Sequence, residues 1–81
     1  MQQNGNLVRQ IQELLAARFH AGSVDPEVDL LDSGLVDSVS LVELVMELER
    51  RFGIHLPFEE LQIDDFRNVR RIADLVNRTA P

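Results

Sequence analysis

Asp37 and Ser38 close the run Asp32-Ser33-Gly34-Leu35-Val36-Asp37-Ser38 and lead into an apolar stretch, Leu41-Val42-Glu43-Leu44-Val45-Met46-Glu47-Leu48. The stretch has helical spacing, so it predicts a helix whose first turn holds Ser38, behind a glycine-containing loop and with its hydroxyl facing water. A phosphate ester formed there would lie against backbone N–H groups that lack intrahelical partners, and against the positive end of the helix dipole. The dipeptide alone also describes an N-cap aspartate followed by an ordinary first-turn serine. Its flanks have to decide.

No other residues form a self-contained active site. Asp25-x-Glu27-x-Asp29 has the spacing of a calcium loop, but Leu30 stands where the loop needs glycine and Val36 where it needs the closing glutamate. His20 and His55 are far apart and the chain has no cysteine, which disfavours zinc. A hydrolytic triad built on Ser38 would need a base nearby, yet His55 lies past the far end of the same predicted helix, roughly 25 Å along its axis. No catalytic residue and no metal ligand is therefore assigned.

The 81 residues are enough for one domain with one core, taken as residues 1–81, with 1–5 expected to be disordered and about 78–81 a frayed tail. Apolar residues make up 44% and charged ones 27%, a composition that folds. The absence of cysteine rules out disulfides, so any thiol chemistry must arrive on a cofactor. There is no apolar run of membrane-spanning length and no basic-then-apolar leader at Met1–Asn6, which leads to the expectation of a cytoplasmic protein without membrane insertion.

Net charge is −6, unevenly spread. Residues 25–65 hold twelve acids against two bases, Arg50 and Arg51, whereas residues 66–81 hold Arg67, Arg70, Arg71 and Arg78 against Asp74. An acidic middle repels nucleic acid and anionic membrane and suits partners with basic surfaces. It would equally serve as a solvated surface kept for solubility.

The periodicity is all-helical. Leu7, Val8, Ile11, Leu14, Leu15 and Phe19 define a first helix ending near His20-Ala21-Gly22. A long connection over about 23–36 follows, too apolar to be a free linker, and is expected to bury several of Val24, Val28, Leu30, Leu31, Leu35 and Val36 across the helices. The second helix should run from Ser38 to Phe52 and stop at Gly53. Pro57 opens a short third helix, Phe58 to Leu61, and the last helix spans about Val69–Asn77. The predicted fold class is an all-α, small four-helix bundle with a long first loop and a short third helix.

A helical wheel at ~100° per residue divides the second helix. Leu44, Leu48, Leu41, Phe52 and Val45 fall in one sector and form a core stripe. Val42, Met46 and Val39 form a second apolar stripe, flanked by Glu49 and Glu43. A helix buried on one face has no need of it. Either the long loop or the short third helix covers this strip, or it is a docking surface with methionine as an adaptable contact.

Three segments together resemble the acyl and peptidyl carrier proteins: Gly34-Leu35-Val36-Asp37-Ser38, Val42-Glu43-Leu44-Val45-Met46-Glu47-Leu48-Glu49 and Phe52-Gly53-Ile54-His55-Leu56-Pro57. The resemblance covers about residues 7–77, with the first and last helices generic and the turn after the second helix specific. It implies that Ser38 carries a covalent 4′-phosphopantetheine arm, flanked by Asp37, and that Val39, Val42, Glu43, Met46 and Glu49 face partner enzymes. It implies a non-catalytic carrier that holds an acyl or aminoacyl group as a thioester. The partners would be a phosphopantetheinyl transferase, an ATP-dependent amino-acid- or acyl-activating ligase and a downstream transferase or synthase.

Departures within the pattern bear on the cargo. Val39 replaces the usual leucine, Ser40 and Arg50 stand where fatty-acid carriers often have acids, and the stretch from Phe52 to Val69 is about two residues longer. Phe58-Glu59-Glu60-Leu61-Gln62-Ile63-Asp64-Asp65-Phe66 is similar to stand-alone D-alanyl and other aminoacyl carriers, which implies an amino-acid-type cargo. A fatty-acid or polyketide acyl carrier is the alternative within the family. A cofactor-free helical interaction module is the alternative outside it.

Overall fold

The computed structural model describes residues 3–19 and 24–79, with only the backbone of residues 3–5. Three α-helices account for most of them: α1 (Gln3–Phe19), α2 (Ser38–Phe52) and α3 (Val69–Thr79). α1 begins at Gln3 and α3 ends at Thr79. The expected stop of α1 at His20-Ala21-Gly22 lies outside the described residues. No strand occurs among the described residues, in line with the all-helical expectation.

Both ends of α2 are set by local chemistry. Asp37 precedes it in extended conformation, and its Oδ1 accepts the Ser40 N–H at 2.8 Å, which satisfies one of the orphan donors of the first turn. Gly53 ends it in the left-handed region (φ 64°, ψ 36°), donating its N–H to the Glu49 carbonyl at 2.9 Å. An L side chain is disfavoured in that conformation, so glycine is the residue that stops the helix cheaply.

In place of the short third helix of the expected bundle stand two 3-10 turns, Phe58–Glu60 and Ile63–Phe66. Their hydrogen bonds run i→i+3, from Glu60 N–H to Pro57 O at 3.0 Å and from Asp65 N–H to Gln62 O at 2.9 Å. Leu61 and Gln62 between them are extended. Leu61 packs against the core there. The short third helix expected over Phe58–Leu61 is a single tight turn.

One core collects side chains from the three α-helices, the connection and the second 3-10 turn. Ile11, Leu14 and Leu15 of α1 meet Val69, Ile72, Ala73, Leu75 and Val76 of α3, and Phe66 of the second 3-10 turn is fully buried against them. The stripe on α2 enters the same cluster through Leu44, Val45 and Leu48, with Leu41 and Phe52 half-buried at its edges. Within the connection, Val24, Leu30 and Val36 are buried, and Val28, Leu31 and Leu35 pack against the core. The connection is a strap laid over the helices.

Leu44→Ala and Leu48→Ala should each cost about 2–5 kcal/mol, because both leucines are fully buried and truncation leaves a cavity. Val42→Ala and Met46→Ala, at 39% and 53% exposure, should each cost less than about 1 kcal/mol. Denaturant unfolding of the four variants checks this, and equal losses in both pairs would show that the second stripe is buried.

Candidate functional site

The chain reaching Ser38 is fixed by polar contacts beneath its buried leucine and valines. The Asp29 carboxylate accepts the N–H groups of Leu31 at 3.0 Å and Asp32 at 2.9 Å through Oδ1, and Arg67 Nη1 at 3.1 Å through Oδ2. The Asp32 N–H is the main reason its carboxyl lies below the ordinary aspartate range, with Arg67 adding to the effect. Arg67 binds Asp64 as well, at 3.0 Å, and these two carboxylates raise its pKa. Two backbone bonds finish the strap: Leu30 N–H to Arg67 O at 2.7 Å, and Val36 N–H to Leu30 O at 3.0 Å. Gly34, at φ +83°, supplies the left-handed step the reversal requires.

Ser38 therefore opens α2 two residues after a buried anchor, Val36, and its side chain is exposed. Its hydroxyl makes no hydrogen bond within the protein among the described residues. Such a group suits a covalent substituent, since nothing must be broken to derivatise it. The amides around it are not all vacant. Asp37 holds the Ser40 N–H and lies near that of Val39, which keeps the Asp37 carboxyl below its ordinary range, the Ser40 contact contributing most.

The second apolar stripe is in water. Val39 is 72% exposed, and Val42 and Met46 are exposed beside it, so neither the strap nor the 3-10 turns cover it. Glu43 is exposed as well. Glu49 differs: its carboxylate accepts the Leu56 N–H at 2.8 Å and lies 3.5 Å from His55 Nδ1. It braces the turn that follows α2, so its side chain already has a structural task.

The acids with calcium-loop spacing are occupied internally. Asp29 faces Arg67, Glu27 faces Arg70, and Asp25 accepts the Glu27 N–H at 2.8 Å. Among the described residues no cluster of possible metal ligands occurs. One feature escaped the sequence: a groove of about 160 Å³ lined by Leu41, Phe58, Leu61, Gln62, Ile63 and Phe66. Its signal was weak, since Phe58, Ile63 and Phe66 read as core in any helical pattern.

Residues 8–76 match the family described as a phosphopantetheine attachment site. The D-alanyl carrier protein of Streptococcus sanguinis is 44% identical over 46 residues, 57% of this chain and 58% of that protein. Its counterpart in Streptococcus pyogenes is 46% identical over 44 residues, 54% of this chain and 56% of the other. The chain spans less than three fifths of the length of these relatives. It belongs to the phosphopantetheine-attachment family, a family of non-catalytic carriers whose cofactor is 4′-phosphopantetheine. No helix among the described residues is long and apolar enough to cross a membrane.

The Asp37 cap gives a pH signature. A carboxyl whose folded pKa is depressed stabilises the fold above its unfolded value, about 3.9, and that stabilisation is lost as pH falls through the lower folded value. Asp37→Ala should lower the melting temperature relative to the parent at neutral pH, and the gap should close below about pH 4. Thermal melts of both proteins across acid pH check it. A gap independent of pH would remove the ionised cap from the account.

Proposed function

We propose that Ser38 is the attachment point of the phosphopantetheine arm and that α2 presents the loaded arm to successive enzymes. The observation that carries this reading is the exposed, unengaged Ser38 hydroxyl at the start of a helix whose Val39/Val42/Met46 strip is also exposed. The arm supplies a thiol on which a carboxylic acid is held as a thioester. The rest is done by this chain's residues. Asp37 caps the first turn and so fixes the backbone that bears Ser38. Val36 and Leu30 anchor the strap, so the attachment point stays put while partners change.

Residues 1–81 act in this reading as one cytoplasmic carrier domain. Its partners are a phosphopantetheinyl transferase, an ATP-dependent amino-acid-activating ligase and a downstream transferase. Val39, Val42, Met46 and Glu43 form the face they share, with Glu49 at its edge. Co-expression with a broad-specificity phosphopantetheinyl transferase should add the mass of one arm, and Ser38→Ala should abolish the addition while leaving the helical circular dichroism unchanged. An unmodified parent protein, tried with several such transferases, would overturn the carrier assignment of Ser38.

We infer further that the cargo is an amino acid. The relatives named above are D-alanyl carriers, and the run Phe58–Phe66 follows the aminoacyl pattern. A long acyl chain gains about 0.8 kcal/mol for each methylene hidden from water, and a groove of about 160 Å³ offers room for few of them. Holo-protein offered a panel of amino-acid-activating enzymes and an acyl-chain synthetase should gain the mass of an amino acid. Efficient loading by the acyl synthetase alone would reassign the cargo and leave the carrier function standing.

A further inference from the structure

The sulfur of this chain sits in an unusual place. The sequence has no cysteine and two methionines, Met1 and Met46, of which Met46 is among the described residues. A methionine used to fill a gap in a core is buried. Met46 is 53% exposed, and the buried core is built from isoleucine, leucine, valine, alanine and phenylalanine alone. Its neighbours on the outer face of α2, Val39 and Val42, are in water as well, so the thioether stands on an uncovered apolar strip.

That exposure gives the sulfur a reaction that no other described side chain offers. A sulfur lone pair attacks one oxygen of hydrogen peroxide, the O–O bond breaks, the S–O bond of the sulfoxide forms, and the second oxygen leaves as water. Sulfur is oxidised and peroxide reduced, so no further reactant is required. Hydrogen peroxide is uncharged, and the carboxylates of Glu43 and Glu49 beside the strip do not repel it as they would an anion.

The consequence is confined to the surface. Met46 lies outside the core cluster, and α2 keeps its inward stripe of Leu44, Val45 and Leu48 whatever the state of the sulfur. What changes is the strip, where an adaptable apolar contact becomes a polar, chiral one. A sulfoxide oxygen enclosed in an apolar contact without a donor costs free energy. A partner that closes over Val39, Val42 and Met46 therefore holds the oxidised chain less well. The thiol of the arm is masked while it carries an acid as a thioester, whereas Met46 is open to peroxide whether the arm is loaded or empty.

We propose that Met46 is a site of reversible oxidation, at which hydrogen peroxide converts the thioether to the sulfoxide and weakens the grip of partner enzymes on α2. The proposal rests on the reading of the chain as a carrier whose outer α2 face meets its partners. The reverse step belongs to methionine sulfoxide reductases, one for each epimer: a dithiol becomes a disulfide, the oxygen leaves as water, and the thioether returns.

The test treats the full chain, without its arm, with hydrogen peroxide and then removes the peroxide. Peptide mapping should find one added oxygen atom on the peptide that holds Met46, formed about as fast as on free methionine. Helical circular dichroism and melting temperature should be unchanged. The rate of arm attachment by a phosphopantetheinyl transferase, at carrier concentrations well below saturation, should fall by about fivefold or more. The two reductases with dithiothreitol should remove the oxygen and restore the rate. Met46→Leu, compared with itself before and after peroxide, should show no change of rate. Met46→Gln, polar and of similar length, should reproduce the loss without peroxide. Oxidation of Met46 far slower than that of free methionine, equal rates before and after treatment, or a loss that persists in Met46→Leu would overturn the proposal. A lowered melting temperature would also overturn it, by making the sulfur a structural contact. Arm attachment that ignores the oxidation strikes this proposal alone, whereas an untreated chain that accepts no arm strikes the carrier reading and the proposal with it.

Discussion

Asp29 and Arg67 lie 38 residues apart in sequence and meet at 3.1 Å, and that contact ties the strap before α2 to the end of the second 3-10 turn. The difficulty it solves is general. A long connection with six large apolar side chains has to lie on the core, and burying it threatens to strand its backbone polar groups without partners. Here the Asp29 carboxylate takes two of the N–H groups, the Arg67 carbonyl takes a third, and the Leu30 carbonyl takes a fourth from Val36. Leu30 and Val36 can then be fully buried. As exposed or half-exposed ion pairs these contacts would be worth little for stability. Their value is geometric: they fix where α2 begins.

From that start the rest of the site follows by local rules. Asp37 caps the helix, Ser38 falls in its first turn, and the period of α2 sends Leu44, Val45 and Leu48 inward and Val39, Val42 and Met46 outward. Membership of the phosphopantetheine-attachment family agrees with this layout, in which a rigid helix start bears a reactive group in water. The protein contributes no chemistry of its own there. It contributes a fixed helix start and an exposed apolar strip beside it.

Much of this was legible in the sequence because the signals were local. An aspartate before an apolar period, a glycine after it, and apolar residues too numerous for a free linker each predicted a feature that the structure contains. The 3-10 turns were not legible as such. Over three or four residues the spacing of Phe58, Leu61, Ile63 and Phe66 does not distinguish α from 3-10 winding, and which of the four is buried depends on what packs above them. Phe66 is in the core and Phe58 and Ile63 are outside it, a difference set by tertiary contact. Glu49 illustrates a second limit. On the wheel it flanks the exposed strip, but the turn after Gly53 brings the Leu56 N–H back to its carboxylate, a contact seven residues away that periodicity does not reveal.

Charge shows how folding edits what composition implies. The acidic middle looks in sequence like a surface for basic partners, yet much of its charge is spent within the molecule, largely against the basic end. Glu27 faces Arg70, Asp29 and Asp64 share Arg67, Asp65 faces Arg78, and Glu47 faces Arg18 and Arg50. The acids with no ion pair among the described residues include Asp32, Asp37 and Glu43 around the start of α2, and Glu59 and Glu60 on the first 3-10 turn. Internal pairing therefore removes the field where the strap is held and leaves it in the segments that carry Ser38 and the exposed apolar side chains. Fields of this kind act on encounter rates within about 10 Å at ordinary salt, so their position matters more than their sum. The net charge of −6 thus acts chiefly around the start of α2 and the first 3-10 turn.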